Sequence, residues 1–177
     1  HLGYIESKRQ AHRQVLEAAA RRGLPAVVVA PCFMFGAYDV KPGTGQLILS
    51  LAAGRVPGAP PGGRNYVHVR DVAAGIAAAL RQGRVGESYI AGHRNLDYGQ
   101  LFALIAAVLG VSAPRRRLPR PLVLAGGLAG SAAGRLLGRT PALSYAMARI
   151  SCDGHYYSAA KAVRELDLPQ TPVERAV

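Results

Sequence analysis

The 177-residue chain is 50% hydrophobic and 18% charged, a balance that excludes intrinsic disorder and supplies a packed core. Its formal charge of +12, from 22 Lys and Arg against 10 Asp and Glu, favours polyanions at long range, yet the arginines are scattered and only Arg115-Arg116-Arg117 with Arg120 is dense. No aromatic residues interleave with that run, so no specific nucleic-acid motif is written there; two cysteines, Cys32 and Cys152, allow at most one bridge and suit a reducing, cytoplasmic home.

The start lacks the basic-then-apolar order of a secretory signal. From Tyr4 to Arg22 the pattern predicts a helix with a stripe of Ala11, Val15, Ala18 and Ala19, stopped by Gly23. Leu24-Pro25 turns the chain into AVVVA (Ala26 to Ala30), the continuous apolar run of a strand covered on both faces in a parallel sheet, closed by Pro31. Helix, short connection and buried strand make half of an α/β repeat. Cys32 to Gly45 reads as a long loop and Gln46 to Ala53 as a short helix, followed by GRVPGAPPGGR. Asn65 to Val69 alternates like a strand, Asp71 is placed to cap a helix over Val72 to Gln82, and Ser88 to Ala91 is a further short strand.

After Gly92 the chain changes to helices joined by Pro- and Arg-rich linkers. Asp97 caps YGQLFALIAAVLG, Pro121 starts a Gly/Ala-rich helix, Ala142 to Ile150 makes another, and Ser158 caps one reaching Leu166. Thr171-Pro172-Val173-Glu174 has capping-box spacing. The apolar segment Pro121 to Ala133 falls short of the ~20 residues needed to span a bilayer. Gly127, Gly130 and Gly134 have the wrong spacing for a dinucleotide loop and suit close helix packing. Cys152 and His155 are too few for a structural zinc site, and neither Ser151 nor Ser158 lies in a nucleophile elbow, so no metal is expected.

The chemistry sits at the beginning. Tyr4 and Lys8, at i and i+4, share one face of the first helix. An ammonium beside a phenol favours the phenolate, and such a tyrosine can pass a proton to or from an alcohol or carbonyl while a cofactor moves hydride.

That pair is followed in order by other segments. Together YIESK, VVVAPCFMFGAYD, GGRNYVHVRDVAAGIAAAL, SYIAG and HYYSAAKAVRELDLPQTPVERAV resemble the second half of an extended short-chain dehydrogenase/reductase. The resemblance is to the NAD-dependent epimerase/dehydratase family, near its dihydroflavonol-reductase-like and hopanoid-associated sugar-epimerase-like members.

It implies an α/β fold: the C-terminal half of a Rossmann-type doubly wound parallel sheet in residues 1–92, and a small, mostly helical substrate region in residues 93–177. It implies that Tyr4 is the catalytic acid/base and that Lys8 holds the nicotinamide ribose of NAD or NADP. Pro31, with the backbone around Cys32 and Phe33, would lie against the nicotinamide, and Arg64 would contact a substrate diphosphate. His68 and Asp71 are a strand residue and a helix cap. The substrate is a small molecule, a nucleotide sugar or a dihydroflavonol-like ketone, and a homodimer through the Tyr4 helix is expected.

In the family a Gly-rich turn for the pyrophosphate and a catalytic Ser or Thr precede the tyrosine. The chain is therefore expected to be a C-terminal portion, inactive alone. The competing reading is a non-catalytic basic module that binds nucleic acid or anionic membrane.

Overall fold

Helix α1 spans Leu2–Arg22 and stops where Gly23, at φ 66°, turns the chain left-handed without a side chain to clash. It belongs to a computed structural model that describes residues 2–39, 43–139, 141 and 143–177. The stripe that packs is His12, Val15, Leu16, Ala18 and Ala19, at helical spacing. Ala11 falls just off it and is exposed.

By internal contacts the chain forms two units: His1–Ala37, Tyr66–Arg94 and Tyr157–Ala176 in one, Tyr38–Asn65, Asn95–Tyr156 and Val177 in the other. Composition suggests one boundary near Gly92, whereas the units interleave along the chain. The reason is that the last segment returns to the first unit, where α7 (Ala160–Leu166) packs on α3 (Val69–Gln82) and β4 (Ser88–Ala91).

In the first unit β1 (Val28–Pro31) pairs in parallel with β4, Val28 opposite Ser88 and Pro31 opposite Ala91. β2 (Phe33–Phe35) pairs in parallel with the end of β3 (Gly63–His68), Phe33 opposite Tyr66 and Phe35 opposite His68. Parallel strands joined through helices make this an α/β fold. Two expectations change. AVVVA is half-buried rather than covered on both faces, because β4 is the only strand paired with β1 among the described residues. The expected loop after Pro31 contains β2, held by its pairing and by Phe33 and Phe35 rings packed 5.6 and 5.7 Å from Tyr66. Val40 to Pro42 of that loop lie outside the described residues.

The core of this unit joins Val67, Val72, Tyr89, Ala162, Leu166 and Leu168, with Val27 and Val29 of alternate register against it. Each large side chain buried there is worth about 1.5–3 kcal/mol. Asp71 does not cap α3. The cap is His68, whose Nδ1 accepts from the Arg70 N–H at 3.0 Å, while the buried Asp71 carboxylate turns to Thr171. That contact also takes the Thr171 hydroxyl away from the expected capping box, and only a short 3-10 turn, Val173–Ala176, follows.

In the second unit β6 (Gly154–His155) pairs in parallel with the start of β3. β5 (Arg94–Asp97), too polar to be read as a strand, adjoins β3 through Asn65 Nδ2 donating to Asn95 Oδ1 at 2.8 Å. The GGR sequence is explained here: a Cβ on Gly63 would lie 2.6 Å from the Leu96 carbonyl oxygen, so only glycine admits this approach. Helix α2 is Gly45–Ala52. Asp97 caps α4 (Tyr98–Leu109) in a full capping box with Gln100.

α5 (Arg120–Leu137) has Pro121 in its first turn and packs on α6 (Tyr145–Ser151), capped by Ser144. Ala142, the expected start of α6, lies outside the described residues. At Gly127 a Cβ would come 2.5 Å from the Ala148 Cβ, so here the two helices meet, whereas Gly130 and Gly134 admit the backbone of Leu143 and Arg139 before α6. Ser158 Oγ accepts from the Ala160 N–H at 3.3 Å at the start of α7.

Candidate active site

A short connection, Gly23 to Val27, joins α1 to β1. His12 fixes the register: its Nε2 lies 2.6 Å from Ser88 Oγ, at the first residue of β4 and level with Val28. Tyr4 stands eight residues earlier, about 12 Å along the axis. From Val28 to Pro31 the strand rises about 10 Å. In open parallel sheets ligands bind beyond the carboxyl ends of the strands, here Pro31 and Ala91.

Tyr4 is 63% exposed, and the Lys8 Nζ lies 5.7 Å from its ring centroid. The Ser7 hydroxyl donates to the Tyr4 carbonyl at 2.8 Å, keeping the side chains of Tyr4 and Lys8 as the polar groups of this face. Phenol and ammonium therefore share one solvent-facing patch.

Pro31 is the last residue of β1 and is exposed; Cys32 and Phe33 follow it half-buried. The Cys32 N–H donates to the Ala91 carbonyl at 2.9 Å and so is already used within the unit. Burial pushes the Cys32 thiol up to about 11, which keeps it protonated and neutral beside the strand end. Tyr4, Lys8, Pro31, Cys32 and Phe33 all belong to the first unit.

Arg64 belongs to the second. Its Nε donates to the Tyr98 hydroxyl at 3.0 Å, an orientation the sequence did not disclose because Tyr98 reads as an ordinary first-turn helix residue. Opposite Arg64 in register is His155, whose buried Nε2 has no hydrogen-bond partner among the described residues. Sequence reasoning assigned His155 no role beyond a weak metal candidate. Among the described residues no three His, Cys, Asp or Glu side chains converge as a metal group would require. Tyr38, with φ 72° and 90% exposed, is a further aromatic that no spacing flagged.

The sequence pattern of the NAD dependent epimerase/dehydratase family matches residues 1–92, more than half of the chain. The chain belongs to that family. It is 34% identical over 98% of its length to a Synechocystis protein named for dihydroflavonol 4-reductase, and 30% identical over 93% to sterol demethylase protein B of Methylococcus capsulatus. It covers 52% and 51% of those proteins, so the chain spans about half the length of the curated relatives it matches.

Among solved structures, gox2253 superposes with a TM-score of 0.78 at 35% identity, over 98% of this chain and 53% of the other. A nucleoside-diphosphate-sugar epimerase from Pseudomonas aeruginosa gives 0.74 at 28%, over 98% and 52%. RMD from the same organism, solved with NADPH, shares the fold at a TM-score of 0.62 and 16% identity, over 98% and 52%. The family is NAD-dependent and the fold Rossmann-type.

Proposed function

We propose that the full-length protein is an NAD(P)-dependent oxidoreductase or epimerase acting at a carbonyl or alcohol carbon, with Tyr4 as its acid/base. The observation that carries this is the Tyr4–Lys8 pair itself, an exposed phenol with the Lys8 ammonium 5.7 Å from its ring centroid, in a chain that matches the family over residues 1–92. The donor set suits the group. Lys8 offers an unburied ammonium to ribose hydroxyls, and the exposed ring of Pro31 offers an apolar wall to a nicotinamide. NAD(P), when bound, supplies the hydride acceptor or donor.

Tyr4 handles the proton. As the substrate C–H bond breaks and the alcohol becomes a carbonyl, the hydroxyl proton passes to the Tyr4 oxygen, and reduction returns it. Residues 1–92 hold the cofactor in this reading and residues 93–177 shape the substrate pocket. A nucleotide sugar or a dihydroflavonol-like ketone fits the names of the relatives. Arg64, whose Nε donates to the Tyr98 hydroxyl, is the residue proposed to contact a substrate diphosphate. A reducing, cytoplasmic setting goes with the two free thiols.

The deciding experiment is Tyr4→Phe in the full-length protein, with turnover followed by nicotinamide absorbance and cofactor affinity by titration. Turnover falls by roughly 100- to 10,000-fold, the range of general acid/base catalysis, while cofactor affinity stays within a small factor. Unchanged turnover removes Tyr4 from the chemistry.

A further inference from the structure

Every charged side chain between Asp97 and Asp153 is an arginine. Through the middle of that stretch runs α5, and between Pro121 and Gly134 its only polar side chain is Ser131. Ser131 Oγ accepts from the Tyr145 N–H at 2.9 Å, so it faces α6. Gly127 faces α6 too, and Val123 is buried in the cluster that Ala148 and Cys152 complete.

Between Pro121 and Gly134 the opposite side of α5 has no polar side chain, and Arg135 adjoins its C-terminal end. Leu122, Leu128, Leu136 and Leu137 are 56%, 57%, 87% and 70% exposed, and the alanines at 125, 129, 132 and 133 between them are exposed as well. A helix on a water-facing surface normally turns polar residues outward, and a contiguous apolar face marks an interaction site.

The ends of α5 are basic. Arg117 pairs with Asp97 at 3.8 Å and Arg120 with Asp153 at 3.3 Å. Arg115, Arg116, Arg135 and Arg139 have no carboxylate within ion-pair distance among the described residues. Eighteen residues make α5 about 27 Å long, short of a hydrocarbon core of about 30 Å. No described helix is long and apolar enough to cross a membrane. A helix of this kind lies along the interface, leucines in the acyl boundary and arginines among headgroups.

We propose that α5 is an interfacial anchor that seats the second unit on an anionic lipid bilayer. The charge pattern chooses the occupant. Nucleic acid would use the arginines and leave the leucines wet; an apolar protein face would use the leucines and gain nothing from flanks cleared of acids. An anionic bilayer takes up both. The inference goes beyond the reading of Tyr4 and does not depend on it.

The test is flotation of the full-length protein with phosphatidylcholine vesicles, with and without phosphatidylglycerol. The protein floats with the anionic vesicles, far less with the neutral ones, and progressively less as salt shortens the Debye length below about 8 Å. Arg115→Gln, Arg116→Gln and Arg135→Gln together lower partitioning on the order of 100-fold. Leu128→Gln with Leu136→Gln lowers it by at least about tenfold at unchanged circular dichroism. All five positions are exposed, so the variants fold.

Absence of flotation overturns the proposal. So does flotation that the leucine changes leave intact and an oligonucleotide abolishes, which marks a polyanion site. Leucine changes that dissociate a protein oligomer without altering lipid partitioning also overturn it.

Discussion

Asp71 and Thr171, 100 residues apart, are joined twice: Asp71 Oδ2 accepts from the Thr171 N–H and Oδ1 from its hydroxyl, both at 2.7 Å. Asp71 is buried, so its carboxylate depends on those donors in place of water. Asp71→Ala leaves the Thr171 amide without its acceptor and costs about 2–4 kcal/mol. Thr171→Val removes only the hydroxyl and costs about 1–2 kcal/mol. Urea unfolding of both variants checks the order, and equal losses would mean that the backbone bond contributes little.

This contact also shows what was legible beforehand. Asp71 was visible as an acid at the front of a helix, and its local neighbours suggested a cap. Its actual partner lies far along the chain, where no periodicity reaches. The same holds for β2 and β5: FMF is three residues bounded by Pro31 and Gly36, RNLD is mostly polar, and both are strands because of what they pair with. By contrast Ser88–Ala91 and the Asp97 cap were readable, since local spacing decides them. The Tyr4–Lys8 pair was readable for the same reason, as i and i+4 on one helix. The Tyr98 hydroxyl on Arg64 was not, because it joins a strand to a helix 34 positions away.

Two adjacent glycines of α5 respond oppositely to one methyl group. A Cβ on Gly126 meets nothing within 4 Å, whereas one on Gly127 lies 2.5 Å from the Ala148 Cβ and 2.9 Å from the Tyr145 Cα. Gly126→Ala keeps only the propensity gain and stabilises by about 0.5–1 kcal/mol. Gly127→Ala has the same gain, but forcing α5 from α6 costs about 1–3 kcal/mol, and the overlap wins. Thermal melts of the two single variants distinguish the cases; stabilisation by both would show that α6 yields freely.

The half-buried thiol of Cys32, pushed up to about 11 by burial, is protonated at neutral pH. Alkylation proceeds through the thiolate, so at pH 8 iodoacetamide modifies Cys32 in the folded protein on the order of 100-fold more slowly than in the unfolded chain. The rate rises about tenfold per pH unit until the thiol titrates. Because the folded state holds this proton more tightly, the unfolded state loses it first, and Cys32 subtracts from stability as pH rises above about 9. Peptide mapping separates Cys32 from Cys152, and rapid labelling of Cys32 at pH 7 would contradict its burial.

Glu87 and Lys161 hold β4 against α7, with the ammonium 2.6 Å from the carboxylate and 4.5 Å from the Tyr89 ring centroid. The hydrogen bond from Lys161, then its charge and that of Arg84, hold the Glu87 carboxyl below its ordinary value. A carboxyl lowered in the folded state contributes its stability above the unfolded value of about 4.3 and loses it as pH falls through the folded one. Glu87→Gln cannot make that contribution at any pH. The melting temperature of the parent therefore exceeds that of the variant by a constant margin above about pH 5, and the margin shrinks on acidification below about pH 4. Both side chains are partly exposed, so the margin also narrows in high salt. A margin equal at pH 7 and about pH 3 would show that Glu87 acts through shape, and that the attraction of Lys161 adds nothing to the seam between β4 and α7.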